Sequence, residues 1–301
     1  MTLRLRLVLA IAWTLAGCGG GKPADPGPPR DIRLDGANTA GSQAMSMGLP
    51  EVAIRQFSVA LARAYERDDA GAIADAAFNL ALAQMRAGDP RAAAATVRSA
   101  EAELGRRRAP VPAELALAEA AAAYRAGDPA SALAAAQRAL DRPVGDADTV
   151  PRAWFIVGLV AADRGDRTAL TQALTALRPS KSADLEADRL ELQGRAALLE
   201  DRPDKALPAF EQSAANRQQA LDYRGMARAL ALAGDATLRL GRTVDAANYF
   251  LRAGRSALLQ GDTAMANPLL GRAAELGRQT GQTAIVDEVT RLRRQAASTG
   301  R

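Results

Sequence analysis

The chain has 301 residues, a single cysteine, no histidine and a formal net charge of +5. A net charge this small argues against nucleic acid as a partner. Because the chain has no histidine and no thiol to spare, it cannot contain a histidine base, a Ser-His triad or a His/Cys metal site. Alanine is abundant and β-branched residues are sparse, which favours helix nearly throughout.

The first residues are predicted to be an export signal. Arg4 and Arg6 give a basic start, and the apolar run 7–15 is too short to anchor a protein across a bilayer. The segment Leu15-Ala16-Gly17-Cys18 then resembles the lipobox of bacterial lipoproteins. The resemblance implies removal of residues 1–17 and attachment of lipid, including an acyl chain such as palmitate, to Cys18. The alternatives are a plain secretory signal and a buried apolar helix with a chance cysteine.

Residues 18–34 are predicted to be the acylated cysteine and a flexible tether. Because Cys18 is the only cysteine, its use for acylation leaves no free thiol and no disulfide. Two or three acyl chains hold a protein stably to a membrane where one does not. The glycines and prolines that follow, up to Pro29, block both helix and sheet. Gly19 follows the cysteine, at the position that directs sorting in the bacterial lipoproteins that this segment resembles. A residue other than aspartate there implies that the protein is sorted to the periplasmic side of the outer membrane.

Helical hairpins are predicted over residues 35–301 from the turn sequences. Gly88-Asp89-Pro90, Gly127-Asp128-Pro129 and Gly165-Asp166 each lie between two helical stretches. The glycine suits the left-handed end of one helix, and the aspartate caps the next. A proline is tolerated in the first turn, where no amide donor is needed. Asp201-Arg202-Pro203 is expected to act in the same way without the glycine.

Around these turns the residues resemble the tetratricopeptide repeat. That motif places a small residue midway along its first helix, and an alanine, an aromatic residue and an alanine along its second. The second and third units are degenerate at the aromatic position, and the fourth has leucines in its second helix. The first-helix residues are Gly41, Ala81, Ala120, Gly158, Gly194 and Gly234. The second-helix sets are Ala53, Phe57 and Ala60; Ala93, Val97 and Ala100; Ala132, Ala136 and Ala139; Leu170, Leu174 and Leu177; Ala206, Phe210 and Ser213; Ala246, Phe250 and Ala253.

The resemblance implies an all-α fold, a right-handed α–α superhelix of about six hairpins. The small residues are spaced by 40, 39, 38, 36 and 40 positions, longer than the usual repeat of about 34. Two further helices are expected to close the C-terminal end, one after Asp262 and one after Gly281. Arg291, Arg293 and Arg294 are predicted on the outer face of the last helix, as a solvated cap or, alternatively, a membrane-binding surface. An alanine-rich bundle is the alternative fold.

In tetratricopeptide arrays the first helices line a concave groove, which makes protein binding the expected function. Aromatic and arginine side chains on such a wall are typical anchors for a peptide. The predicted groove residues are Phe78, Met85, Arg86, Tyr124, Arg125, Phe155, Arg195 and Arg239, with Leu117, Leu159 and Glu191 beside them. Arg86 and Arg125 occupy equivalent places in adjacent repeats and suit an extended segment that contains acidic residues. Some of the groove set must instead belong to the core between repeats.

No catalytic set is found, so the protein is not expected to be an enzyme. No phosphate-binding glycine loop is present. Asp184 and Asp188 have the spacing for acid–base work, but a solvated helix face is the favoured interpretation. No cofactor is expected apart from the covalent lipid on Cys18, and no metal or small-molecule substrate.

The sequence therefore predicts a membrane-anchored periplasmic adaptor that binds other envelope proteins. The alternative is a structural or pilotin-like subunit of a pilus, secretion or outer-membrane assembly machine. A hydrolase that uses carboxylates alone is the third hypothesis.

Overall fold

The computed structural model describes residues 30–142 and 147–299, which form fourteen α-helices and no β-strand. The helices are α1 (Ile32–Ser46), α2 (Pro50–Glu66), α3 (Ala70–Arg86), α4 (Pro90–Arg106), α5 (Ala113–Arg125), α6 (Pro129–Asp141), α7 (Thr149–Asp163), α8 (Arg167–Ala176), α9 (Ala183–Leu199), α10 (Pro203–Gln219), α11 (Tyr223–Arg239), α12 (Thr243–Leu259), α13 (Thr263–Gln279) and α14 (Thr283–Thr299). Cys18 and the signal segment lie outside the described residues.

The helical part begins slightly earlier than the sequence indicated. Helix α1 starts at Ile32, so the last three residues of the segment 18–34 are helical rather than tether. The reason is local: Pro29 is the last proline of that segment, and no residue between it and Ile32 breaks a helix.

Consecutive helices pack against each other all along the array, and the first helices of neighbouring hairpins also touch. Helices α3, α5, α7 and α9 contact one another in succession. This arrangement confirms the predicted α–α superhelix: α1–α12 form six hairpins, and α13 and α14 follow at the C-terminal end. Within the described ranges, no helix combines the length and the apolar character needed to cross a membrane.

The Gly-Asp-Pro turns act as the sequence predicts. Gly88 is left-handed, with φ of +87°, and the Asp89 carboxylate accepts a hydrogen bond of 2.9 Å from the Ala92 amide. The turns at Gly127 and Gly165 have the same build. Asp201-Arg202-Pro203 forms the expected turn, with Pro203 as the first residue of α10, but it lacks the side-chain cap. Asp201 itself takes the left-handed position, with φ of +57°, so that Arg202 becomes the cap residue and gives no side-chain hydrogen bond.

Close packing between paired helices explains the small residue at the middle of each first helix. A Cβ atom added to Gly41 would lie 2.6 Å from the Phe57 ring, and one added to Gly234 would lie 2.9 Å from Phe250. Both distances are shorter than any ordinary carbon–carbon contact. Only glycine therefore admits the ring of the second helix, which confirms the predicted pairing in these hairpins.

The fourth hairpin differs from the expected pattern. The atoms nearest to a Cβ at Gly158 belong to Leu192 of the next hairpin, and Leu174 of α8 is only half-buried. Helix α8 has 10 residues against 17 in α10 and α12, so it supplies less side-chain volume. A residue from the following repeat fills the space that Phe57, Phe210 and Phe250 fill in the first, fifth and sixth hairpins.

The last two helices form the predicted end of the array. Asp262 caps α13, accepting a hydrogen bond of 3.1 Å from the Met265 amide. Ile285, Val289 and Leu292 of α14 are buried against α12 and α13. The three arginines of α14 (Arg291, Arg293 and Arg294) are exposed. Whether that face also meets a membrane stays a prediction.

Candidate functional site

The first helices of the hairpins face one another across the inside of the superhelix. Arg224 at the start of α11 donates a hydrogen bond of 3.5 Å to the Met85 carbonyl at the end of α3, four hairpins earlier in the chain. The Arg228 guanidinium of α11 also lies 5.9 Å from the centre of the Phe155 ring of α7. We call the surface that α3, α5, α7, α9 and α11 present to one another the inner wall.

The predicted groove residues occupy three different environments on the inner wall and its edge. The exposed ones are Arg86, Arg125 and Arg239; the half-buried ones are Phe78, Tyr124 and Arg195; the buried ones are Met85 and Phe155. Arg239 donates to the Leu198 carbonyl of α9 over 3.2 Å. The surface that a ligand meets is thus mostly cationic, while the apolar members pack between helices.

A chain of polar contacts runs along the inner wall from α5 to α9. The Tyr124 hydroxyl donates to Asp163 over 2.7 Å, and Arg195 contacts the same carboxylate at 3.0 Å. Arg195 continues to Glu191 at 3.2 Å. Burial, with the hydrogen bond to Asp163, raises the pKa of Tyr124 to about 12, so the hydroxyl stays protonated and acts as a donor. These contacts fix three predicted groove residues to one another.

The contacts converge on Glu191, whose side chain is fully buried. Arg217 of α10 and Arg228 of α11 each approach its carboxylate to 2.9 Å, and Arg195 makes the third ion pair. Burial alone would raise the pKa of Glu191, but the three guanidinium groups outweigh it and lower the pKa to about 2. Glu191 thus joins three consecutive inner and outer helices, α9 to α11.

Asp188 belongs to the same cluster and not to a solvated face, so the sequence interpretation was wrong for this residue. It is buried one turn before Glu191, and Arg217 donates to it over 2.8 Å. Burial raises the pKa of Asp188 to about 6; the charge of Arg217 lowers this pKa, and the negative charge of Glu191 raises it further. Asp184, by contrast, is half-buried and engaged by Arg152 and Ser182.

A second buried acid, Glu119 of α5, was not singled out in the sequence. Its side chain is 4% exposed, and it pairs with Arg138 of α6 and, at 3.5 Å, with Arg98 of α4. Burial raises its pKa, and the two arginines act in the opposite direction. The sequence signal that could have indicated its burial is that Glu119 directly precedes Ala120, the small residue in the middle of α5.

Arg125 stands apart from these pairs. Among the described residues it has no ion pair or hydrogen bond, and its side chain is open to water. Surrounding protein, followed by the positive charges of Arg224 and Arg228, nevertheless lowers its pKa. A side chain that is both accessible and crowded lies in a concavity. Asp262 and Asp222 attract it from beyond ion-pair distance. Arg125 is therefore a cation in the groove without a direct ion pair among the described residues.

Within the part of the chain that the structure describes, the acidic residues do not assemble into a metal centre. No group of three possible ligands occurs in ranges 30–142 and 147–299. The carboxylates of Asp184 and Asp188 are both held by arginines, which leaves this pair committed to ion pairing.

Solved structures resemble this arrangement of hairpins. A tetratricopeptide repeat protein from Parabacteroides merdae aligns over 86% of this chain and all of its own, with a TM-score of 0.50 and 13% identity. The tetratricopeptide sensor-bearing STAND ATPase of Pyrococcus horikoshii aligns with a TM-score of 0.52 and 16% identity. It covers 86% of this chain, which spans 44% of that larger protein.

The chain has the tetratricopeptide-repeat fold. No family model matches the sequence, and no curated protein matches it either. The likeness therefore concerns the tetratricopeptide fold alone. Stacked repeats of this kind offer extended concave surfaces, and protein–protein interaction is the function that this shape supports.

Proposed function

We propose that this tetratricopeptide-repeat protein is a lipid-anchored adaptor that binds another envelope protein in its groove. The observation that carries the proposal is the pair Arg86 and Arg125. Both are exposed at the ends of adjacent first helices, and neither has an ion-pair partner in the described part of the chain. Exposed cations on a rigid concave wall, beside Tyr124, are suited to a peptide with acidic residues.

The scaffold supports this role because its inner wall is held rigidly. The ion pairs of the buried Glu191 with Arg195, Arg217 and Arg228 hold α9, α10 and α11 together. A pre-organised wall loses little conformational entropy on binding, so more of the contact energy appears as affinity.

The anchor rests on the sequence. The segment that ends at Cys18 has the basic, apolar and small-residue order of a lipoprotein signal, and the glycines and prolines after it suit a spacer. The periplasmic face of the outer membrane is the location we propose. Replacing Cys18 with serine is expected to abolish labelling by radioactive palmitate and to move the protein from the membrane to the soluble fraction. Persistent membrane attachment of Cys18→Ser would contradict the anchor.

The binding function is tested by crosslinking and affinity purification of the full chain from cell envelopes. A defined partner in fixed ratio is expected with the wild type and is expected to be lost from a double variant, Arg86→Glu with Arg125→Glu. The matched control is Arg91→Glu, an exposed arginine in the first turn of the outer helix α4. Recovery of no partner by the wild type would contradict the adaptor role, and equal recovery by the double variant would exclude the groove.

A further inference from the structure

The ends of α3, α5 and α11 meet at one place on the inner wall. Met85, at the end of α3, packs in the same apolar cluster as Ala122 of α5, so the C-terminal ends of these two helices lie side by side. Arg224 reaches this place from α11 and donates to the Met85 carbonyl. Arg125 ends α5, one turn after Ala122. The meeting point therefore carries two arginines that are 99 residues apart in the chain.

The arginines at this place differ in whether they have a direct ion pair. Arg224 has one carboxylate partner, Asp262, at 3.0 Å, and Arg228 shares the already crowded Glu191. Arg125 makes no direct ion pair or hydrogen bond in the described ranges. Burial and the positive charges of Arg224 and Arg228 lower its pKa, while Asp262 and Asp222 act in the opposite direction from beyond ion-pair distance. Buried or crowded cations are normally paired. Asp262 and Asp222 are already paired with Arg224 and Arg217, so Arg125 has no carboxylate of its own at ion-pair distance in the described ranges.

We propose that Arg125 and Arg224 together bind a carboxylate of an acidic peptide segment, which gives Arg125 a direct ion pair and joins α5 to α11. This inference rests on the proposed adaptor function and specifies its partner chemistry. The site is built by repeats at a distance along the chain and not by neighbouring repeats. Guanidinium groups bind carboxylates through paired, directed hydrogen bonds, so two of them fix both the position and the orientation of the acid.

A peptide fits this place better than a lone anion does. Tyr124 immediately precedes Arg125 on α5, and its half-buried ring packs against the apolar clusters of α5–α7 and α7–α9. An acidic side chain can therefore meet the cations, while a flanking residue of the peptide reaches the part of Tyr124 that stays exposed on the same helix end. Inorganic phosphate offers no group for that surface.

The test uses calorimetry on the full chain with an N-acetylated hexaglutamate peptide as the probe. Binding is expected with the wild type and is expected to weaken at high salt, since the attraction is ionic. Arg125→Gln and Arg224→Gln are each expected to weaken binding by about tenfold or more, and Arg91→Gln is expected to leave it unchanged. Equal binding by the wild type and both variants would overturn the proposal.

A second readout separates loss of the site from loss of the fold. Because Arg125 is an unpaired cation near two others, Arg125→Gln is expected to keep or raise the melting temperature while it weakens binding. Arg125→Lys keeps the charge but not the fork of donors, and an intermediate affinity is expected. A lower melting temperature for Arg125→Gln would contradict the lack of a direct ion pair on which the site depends.

Two other probes decide the class of ligand. Inorganic phosphate and vesicles containing phosphatidylglycerol are expected to bind weakly or not at all; stronger binding to either than to hexaglutamate would overturn the peptide assignment. Failure of this site is distinct from failure of the adaptor role. A partner recovered equally by Arg125→Gln and Arg224→Gln leaves the adaptor standing and removes this site.

Discussion

The hairpins α3–α6 and the hairpins α9–α12 pack their paired helices with different side chains. In the later pair, Gly194 and Gly234 each receive a phenylalanine ring, from Phe210 and Phe250. In the earlier pair, Ala81 faces a helix that carries Val97, and Ala120 faces one that carries Ala136. All these second-helix residues are fully buried. The same fold thus accommodates either an aromatic ring packed against a glycine or a small side chain packed against an alanine, provided that the space between the paired helices is filled.

The two regions also differ in how they bury charge. Glu191 is surrounded by arginines that are themselves largely covered: the Arg217 side chain is 5% exposed and that of Arg195 15%. Glu119, in the earlier region, has partners that reach water, with Arg98 54% and Arg138 40% exposed. Removing an acid from the later region leaves cations without water to solvate them, whereas the earlier region can rehydrate its arginines.

The largest effect is expected where a ring is removed. Phe210→Ala should lower the free energy of unfolding by about 4 kcal/mol, because it leaves a cavity against Gly194. Val97→Ala, its counterpart in the earlier region, should cost roughly 2 kcal/mol for the carbon atoms removed. Urea unfolding followed by far-ultraviolet circular dichroism measures both. Equal losses would show that the two kinds of packing are energetically the same.

The next largest effect is expected at the buried acid. Glu191→Gln should destabilise the protein by about 3 kcal/mol, because Arg195, Arg217 and Arg228 lose their shared counter-ion. Glu119→Gln should cost about 1 kcal/mol or less, since its exposed partners are already hydrated. The same unfolding measurement compares them. A smaller loss for Glu191 than for Glu119 would refute the contrast in burial.

A smaller effect is expected from pH. Burial raises the pKa of Asp188 to about 6, so the folded state takes up a proton there before the unfolded state does. The free energy of unfolding should therefore rise by about 1 kcal/mol as this carboxyl is protonated between about pH 7 and about pH 5. Glu191, with its pKa near 2, stays ionised throughout that range. The rise should be absent from Asp188→Asn; an unchanged rise would assign it to another group.

The smallest effect is expected at a turn. Leu221 lies in the turn between the hairpins α9–α10 and α11–α12; it is left-handed, with φ of +58°, and 69% exposed. In the next turn between hairpins, from α12 to α13, the left-handed residue is Gly261. The corresponding turns of the earlier region hold Asp68 and Arg108. Leu221→Gly should raise the free energy of unfolding by about 0.5–1 kcal/mol, and Gly261→Leu should lower it by about 1–2 kcal/mol. A loss of stability in Leu221→Gly would indicate that the leucine has a stabilising contact.

The sequence predicted the hairpins well because their signals are local. Gly88 and Asp89 define a turn within two residues, and Gly41 with Phe57 defines a packed pair within one hairpin. The buried ion cluster could not be predicted in the same way. Its contacts join Glu191 to residues 26 and 37 positions away, and they depend on the rotation of α9 about its axis. Nor does any sequence pattern place Arg224 beside Met85.

The contact between Arg224 and Met85 changes the order in which the array is expected to come apart. Most repeat arrays are held only by neighbours, so they unravel from either end. Here a contact across 139 residues closes the hairpins from α3 to α11 into a loop, and Arg224 also holds α13 through Asp262. Only α1 and α2 lie outside that loop at the N-terminal end. Amide hydrogens of this first hairpin should therefore exchange with solvent earlier than those of the closed part.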